Sequence, residues 1–249
     1  MKKRILYVIN HMDWFWSHRL DLARAARDAG WDVMVAGEGA GGDPALAENG
    51  FEGLEWRGGS PWRRIAGLRA ILKREKPDCV HAITLKTAFM TGLAERGLNL
   101  SRCVFTLAGL GYLFRSSGWK PALLRRAVWP LLYPALRGRN RHIIFQNPDD
   151  RELLTGYGLA DPAHSTLIPG SGVDTQKFSP GPAPQKPAAQ VSARLVLMPT
   201  RLVREKGIDI FVRAAEILRG RNVQADFAIA GGPSPDNPNS ISAAQMQAM

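Results

Sequence analysis

The sequence predicts an α/β protein built on a parallel sheet with helices on both faces, and three observations predict it. Short apolar runs of strand type alternate with stretches of helical periodicity through about residue 157. The same alternation resumes after residue 190, beyond a proline-rich break. Of the 249 residues, 45% are hydrophobic and 22% charged, which is ordinary globular usage with enough apolar material for a buried core.

The elements follow in order. Residues 4–10 (RILYVIN) read as the first strand. Ser17 is placed to cap a helix running to about residue 29, with Leu20, Ala23 and Ala26 on one face and Gly30 as its stop. Residues 32–36 form the next strand, 61–76 a basic helix, 78–82 a strand, 87–97 a helix and 102–107 a strand. A strand at 142–146 precedes a helix at 149–157. Residues 179–190 (SPGPAPQKPAAQ) hold four prolines and read as a linker between a domain at 1–178 and a second at 191–249. In that second part, strands at 194–199 and 225–230 flank a helix at 208–219, with Ile208, Phe211, Val212, Ala215 and Leu218 on one face. One strand-helix-strand unit cannot bury both faces of its sheet, so the second domain is expected to be truncated after its first unit.

Composition removes several classes of function. Two cysteines, Cys79 and Cys103, leave no disulfide framework and no four-cysteine zinc site. His11, Asp13 and His18 match no metal-ligand spacing, so neither metal nor cofactor is expected. The apolar run behind the basic start (MKKR) is too short for a signal-peptide core, and no apolar stretch is long enough to span a bilayer. A cytoplasmic setting is therefore expected. Walker-type, G-x-G-x-x-G and G-x-S-x-G loops are missing, which argues against common nucleotidases and α/β hydrolases.

Net charge is +11 and unevenly placed. Residues 57–141 hold 17 Lys and Arg against three Asp and Glu, a field that attracts anionic partners. From residue 112 to 141 the bases mix with Trp119, Trp129, Tyr133, Leu123, Leu124, Leu131, Leu132 and Leu136, a composition suited to a helix lying in a headgroup layer. Arg115, Trp119, Lys120, Arg125, Arg126 and Trp129 are the candidate membrane-surface residues. Pro121, Pro130 and Pro134 are expected to break that helix into short pieces. The alternative is a solvated helical hairpin that packs its Trp and Leu inward. No nucleic-acid motif accompanies the charge, so no nucleic-acid partner is expected.

Ligands of open parallel sheets bind at the carboxyl ends of the strands. Asn10, His11, His81, Thr106 and Asn147 fall at such ends, although caps and loop hydrogen bonds use the same residue types. The sharpest local signal is PTRLVREKG at 199–207, between a strand and a helix. Arg201 and Lys206 there offer two cations beside the free amides of a helix start, a good diphosphate site. Gly231 and Gly232, after the next strand, let backbone approach a ligand.

RLVREKGIDIFVRAAEIL with FAIAGG, LIPGSGVDTQKFSP, FQNPDDRELL, and Ser17-His18-Arg19-Leu20 near the start together resemble the family 4 glycosyltransferases. FTLAGLGYLF at 105–114 is similar to the subgroup acting on undecaprenyl-diphosphate-linked acceptors. The resemblance implies a GT-B-like fold of two Rossmann-like domains. It also implies a retaining, metal-independent transfer from a nucleotide-sugar donor to a lipid-linked saccharide at an anionic membrane surface, in envelope polysaccharide or glycan synthesis. By it, Arg201 and Lys206 hold the donor diphosphate, Gly231 and Gly232 form the donor-side loop, and the acceptor side includes Asn10, His11, Arg19, His81, Thr106 and Asn147. The sequence departs from the pattern twice. No His follows the strand at 102–107, so the catalytic side chain of the first domain is unassigned, and the family's Glu-x7-Glu region is absent. The chain is therefore expected to be an incomplete and inactive form. A non-catalytic membrane-surface or polyanion-binding module and a GT-B-like sugar-nucleotide epimerase are the alternatives.

Overall fold

The computed structural model describes residues 2–110, 114, 119–181, 194–233 and 239–247. The chain divides into two compact units, Met1–Asp174 and Thr175–Met249. Most of the expected linker, residues 182–190, lies outside the described residues.

The first unit holds seven parallel strands: β1 (Arg4–Val8), β2 (Asp32–Gly37), β3 (Glu52–Glu55), β4 (Cys79–Ile83), β5 (Arg102–Leu107), β6 (Arg141–Phe145) and β7 (Ser165–Leu167). They lie in the order β3-β2-β1-β4-β5-β6-β7. The order reverses between β1 and β4, which pair in register from Ile5 with Cys79 to Val8 with Ala82. Side chains alternate across each strand, so one chain feeds two cores. Leu6 and Val8 join Val80, Ala82, Phe105 and Phe145 on one face, and Tyr7 and Ile9 join Phe15, Val35 and Ile83 on the other.

The helices of this unit are α1 (Met12–His18), α2 (Leu20–Asp28), α3 (Pro44–Glu48), α4 (Pro61–Glu75), α5 (Leu85–Ala94), α6 (Trp119–Leu136) and α7 (Pro148–Gly156). Three expectations change here. Ser17 does not cap a helix: its Oγ donates to the Asp13 carbonyl at 2.6 Å inside α1, and the chain breaks at Arg19 before α2. Such back-bonding to residue i−4 bends helices, and here the bend becomes a break. Second, the short α3 and the edge strands β3 and β7 went unforeseen, because runs of five, four and three residues carry too little periodicity.

The third change is at α6, which runs through Pro130 and Pro134 as one helix. Proline keeps a helical φ and forfeits one ladder bond, and packing here offsets that loss. Gly92 on α5 carries no Cβ, and a Cβ there would meet the Ala135 carbonyl oxygen at 1.8 Å, so only glycine lets the helices approach so closely. Arg141, 6% exposed, then ties the C-terminal end of α6 to α5: it donates to the Arg137 carbonyl (2.6 Å), the Gly92 carbonyl (3.0 Å) and, through Nε, the Glu95 carboxylate (2.9 Å).

The second unit is a two-stranded parallel sheet, β8 (Arg194–Pro199) and β9 (Ala225–Ala230), crossed by α8 (Ile208–Gly220), with a short α9 (Ala243–Gln247). Leu202, Ile208 and Ile241 form its small core. Leu195 and Leu197 remain 63% and 51% exposed. The first unit is thus a Rossmann-like parallel-sheet domain and the second a β-α-β unit of the same type, the elements of a GT-B-like α/β fold.

Candidate functional site

In the first unit Asn10, His81 and Thr106 lie on or just past β1, β4 and β5, beside the reversal of strand order, which is where open α/β sheets take ligands. Asn10 follows β1, and its Nδ2 lies 3.5 Å from the Thr84 Oγ just past β4. Thr84 carries φ +98°, a conformation costly for a β-branched residue. It starts α5 by accepting from the Thr87 amide, while its own amide donates to the Thr106 carbonyl of β5 at 2.9 Å. The Asn10 carboxamide oxygen accepts from the Arg64 guanidinium at 3.4 Å. Arg64, from the first turns of α4, is 9% exposed, and its guanidinium stacks 4.2 Å from the Trp56 ring centroid. Its Nε is buried with no hydrogen-bond partner among the described residues.

His81 projects from β4 to the opposite face, beside Tyr7 at 5.4 Å between ring centroids. Its Nε2 and the Thr106 Oγ are 2.7 Å apart, so two of the expected residues form one buried pair. Burial, and then the nearby charge of Arg19, push the His81 pKa down to about 4. The imidazole is therefore neutral at pH 7. Burial raises the Tyr7 phenol and lowers the Arg19 guanidinium relative to their ordinary values. Arg19 sits at the break between α1 and α2 and is 9% exposed.

The remaining first-unit candidates separate from this cluster. His11 precedes α1 as its N-cap residue without a side-chain cap bond, and it is exposed. Asn147 is the N-cap of α7: it accepts from the Asp150 amide at 2.7 Å and donates to the Asp150 carboxylate at 2.8 Å, a reciprocal cap that uses both ends of its amide. On α6, Trp119 is 71% exposed, Leu123 60% and Arg126 exposed, whereas Arg125 is half-buried. Trp129 turns inward instead and packs edge-on to Tyr157 at 5.7 Å, so it is part of the core rim. Arg115 and the Lys120 side chain lie outside the described residues.

In the second unit the strand-loop-helix placement read from the sequence is present. Past β8 the backbone runs through Arg201 into a single 3-10 turn, Arg204–Lys206, and Gly207 (φ +72°) then opens α8. Arg201 and Lys206 are both exposed on this connection. The Leu202 amide donates to the Gly232 carbonyl at 2.9 Å, and a Cβ on Gly231 would meet the Thr200 carbonyl oxygen at 1.8 Å. Gly231 and Gly232 are therefore drawn against the backbone on either side of Arg201. Glu205 is held below the ordinary carboxylate range, first by the Asn239 side chain that donates to it.

Arg64, Thr84 and Tyr7 escaped the sequence reading. Arg64 looked like one of many bases on a solvated helix, and Thr84 announced nothing of its backbone angle. Only Trp56 and Pro61 near Arg64 hinted at a buried helix start. Among the described residues no cluster of three or more His, Cys, Asp or Glu is placed to hold a metal ion. No described helix is long and apolar enough to cross a membrane.

Comparison with known proteins agrees with this architecture. No curated protein matches the chain. A glycosyltransferase from Rickettsia africae superposes with a TM-score of 0.60 at 17% identity, over 94% of this chain and 69% of that one. A sucrose-phosphate synthase from Thermosynechococcus elongatus gives 0.65 at 13% identity, over 99% and 66%. Anabaena HepE, in complex with UDP and glucose, gives 0.66 at 16% identity, over 93% and 61%. The chain thus spans about two thirds of the length of the structures it resembles. Residues 16–171, most of the first unit, match the glycosyl transferase 4-like domain, and the chain belongs to that family.

Proposed function

We propose that the chain provides the acceptor-side domain and the diphosphate-gripping start of the donor-side domain of a retaining, metal-independent glycosyltransferase. In this reading the donor is a nucleotide sugar and the acceptor a lipid-linked saccharide of the undecaprenyl-diphosphate class. Family membership supports sugar transfer, and the UDP and glucose bound to Anabaena HepE support a nucleotide-sugar donor. The observation that carries the reading is the second unit's connection, with Arg201 and Lys206 exposed and Gly231–Gly232 drawn up beside it. Departure of a nucleoside diphosphate develops negative charge, which fixed cations and a helix start stabilise without reorganising.

The first unit supplies the acceptor side, with Asn10, Arg19, His81 and Thr106 at the strand ends. The exposed Trp119, Leu123 and Leu124 beside Arg126 on α6 support a peripheral position on the inner face of the cytoplasmic membrane.

The test is titration of the chain with UDP. Arg201→Ala or Lys206→Ala should weaken binding at least tenfold, and in a transfer assay should cost about 2–4 kcal/mol of transition-state stabilisation. Unchanged UDP affinity in both variants rejects the assigned roles. Product analysis with labelled UDP sugars separates transfer from epimerisation, since a transferase releases UDP and an epimerase returns a nucleotide sugar.

A further inference from the structure

Burying a charge is expensive unless an opposite charge or several hydrogen bonds compensate it. The described charged residues at or below 9% exposure are Arg19, Arg64, Glu95, Arg141 and Asp150. Glu95 and Arg141 pair with each other, and Asp150 serves the α7 cap. Arg64 has the Trp56 face and the Asn10 amide. Arg19 differs from all of these. Among the described residues its side chain has neither an ion pair nor a hydrogen bond, and only its backbone is bonded, to Phe15 and Ala23.

The groups whose electrostatics couple to Arg19 are Tyr7 and His81, both neutral at pH 7. Acids near it in sequence face elsewhere: Asp13 is exposed, and Asp21 lies 3.7 Å from Arg24. One guanidinium with five donors therefore stands near Tyr7 and His81, at the break before α2, without a counter-charge among the described residues, its nitrogens still touched by solvent and so open to a ligand.

We propose that Arg19 is an oxyanion seat: its guanidinium forms the ion pair with a phosphate group of the acceptor, fixing the acceptor over the ends of β1 and β4. The planar fork of arginine suits two phosphate oxygens at once, and low exposure keeps water from screening the pair. This rests on the acceptor-side reading of the first unit, and it adds that the acceptor is recognised by its phosphate charge there, apart from the donor diphosphate at Arg201 and Lys206. No bond is made or broken at Arg19, which is a binding residue.

The experiment uses the full chain carrying Arg201→Ala and Lys206→Ala, so that the donor loop contributes no anion binding. Inorganic pyrophosphate and farnesyl diphosphate are titrated by calorimetry, the first as the bare anion and the second as one carried on a lipid. Adding Arg19→Gln should weaken both at least tenfold, with Arg19→Lys in between because it keeps charge and loses the fork. In anion-free buffer the Tm of Arg19→Gln should equal or exceed that of its parent, since an uncompensated charge has been removed. A structural arginine bonded only to solvent would leave both affinities within twofold, or its loss would lower Tm, and either result overturns the proposal. UDP binding to the chain with Arg201 and Lys206 intact should not respond to Arg19→Gln. Failure of UDP binding there counts against the donor reading alone.

Discussion

His81 shows how one buried side chain turns solvent pH into fold stability. Its ordinary pKa of 6.5 describes the unfolded chain, and in the fold burial and the charge of Arg19 bring it to about 4. The folded protein therefore binds fewer protons than the unfolded one as pH falls between these values. Its contribution to stability is complete above pH 6.5 and is lost progressively down to pH 4, a total of about 3 kcal/mol. Glu75, Asp161 and Glu205 are all held below their ordinary values, so their losses begin lower on the pH scale. His142 moves the same way as His81 but is only half-buried. The comparison of wild type with His81→Gln isolates the effect, because Gln retains a polar partner for the Thr106 hydroxyl. Denaturant titrations at pH 7.5 and 5 should show the wild type losing at least about 1.5 kcal/mol more than the variant. Equal losses would mean that His81 is solvated. Arg141 tests a different side of burial. Arg141→Met removes the cation beside the buried Glu95 carboxylate and leaves it only the Asn140 amide, which should cost about 3–5 kcal/mol, whereas an exposed pair such as Arg213 with Glu216 should be almost silent when cut.

At the scale of elements, legibility followed length and local signals. The strands at β1, β2, β4, β5, β8 and β9 and the helix α8 were read within a few residues, because each is an apolar run of its type between clear stops. The edge strands β3 and β7 were not, since four residues such as EGLE carry no alternation to read. The break at Arg19 was hidden because Ser17 has a capping residue's identity but spends its hydroxyl on Asp13. The continuity of α6 through two prolines was illegible for a tertiary reason, as the contact with α5 depends on Gly92, which lies about 40 residues away in sequence. Gly92→Ala should therefore act at a distance. Its Cβ meets backbone, so α6 must shift, and a loss of at least about 2 kcal/mol is expected by chemical denaturation, against the gain an Ala brings to an ordinary helix interior. The outer face of α6 is tested separately. Trp119→Ser with Leu123→Ser should abolish sedimentation with anionic liposomes while leaving Tm unchanged, as both side chains are exposed. Retained binding would take the membrane surface away from this helix.

For the whole molecule, the strand-end cluster was legible as position and not as chemistry. Asn10, His81 and Thr106 were placed by the rule that ligands sit at carboxyl strand ends, but the pairing of His81 with Thr106 and the isolation of Arg19 needed neighbours from three separate segments. The two units also differ in how they are held. The first has a seven-stranded sheet with a core on each face; the second has Leu202, Ile208 and Ile241 under two strands whose Leu195, Val196 and Leu197 are largely exposed. A unit of that size with so little buried apolar area is marginal, because ordering each residue costs about 1–2 kcal/mol in backbone entropy alone. It should unfold at lower urea than the first. All seven tryptophans precede residue 130, so tryptophan fluorescence follows the first unit only, while far-ultraviolet circular dichroism follows the helices and strands of both. The dichroism signal should therefore begin to fall before the fluorescence moves, and Ile208→Ala, which opens the second unit's core, should shift the early part alone. Coincident transitions by the two probes, moved together by Ile208→Ala, would show a single cooperative unit and refute the difference argued from the cores.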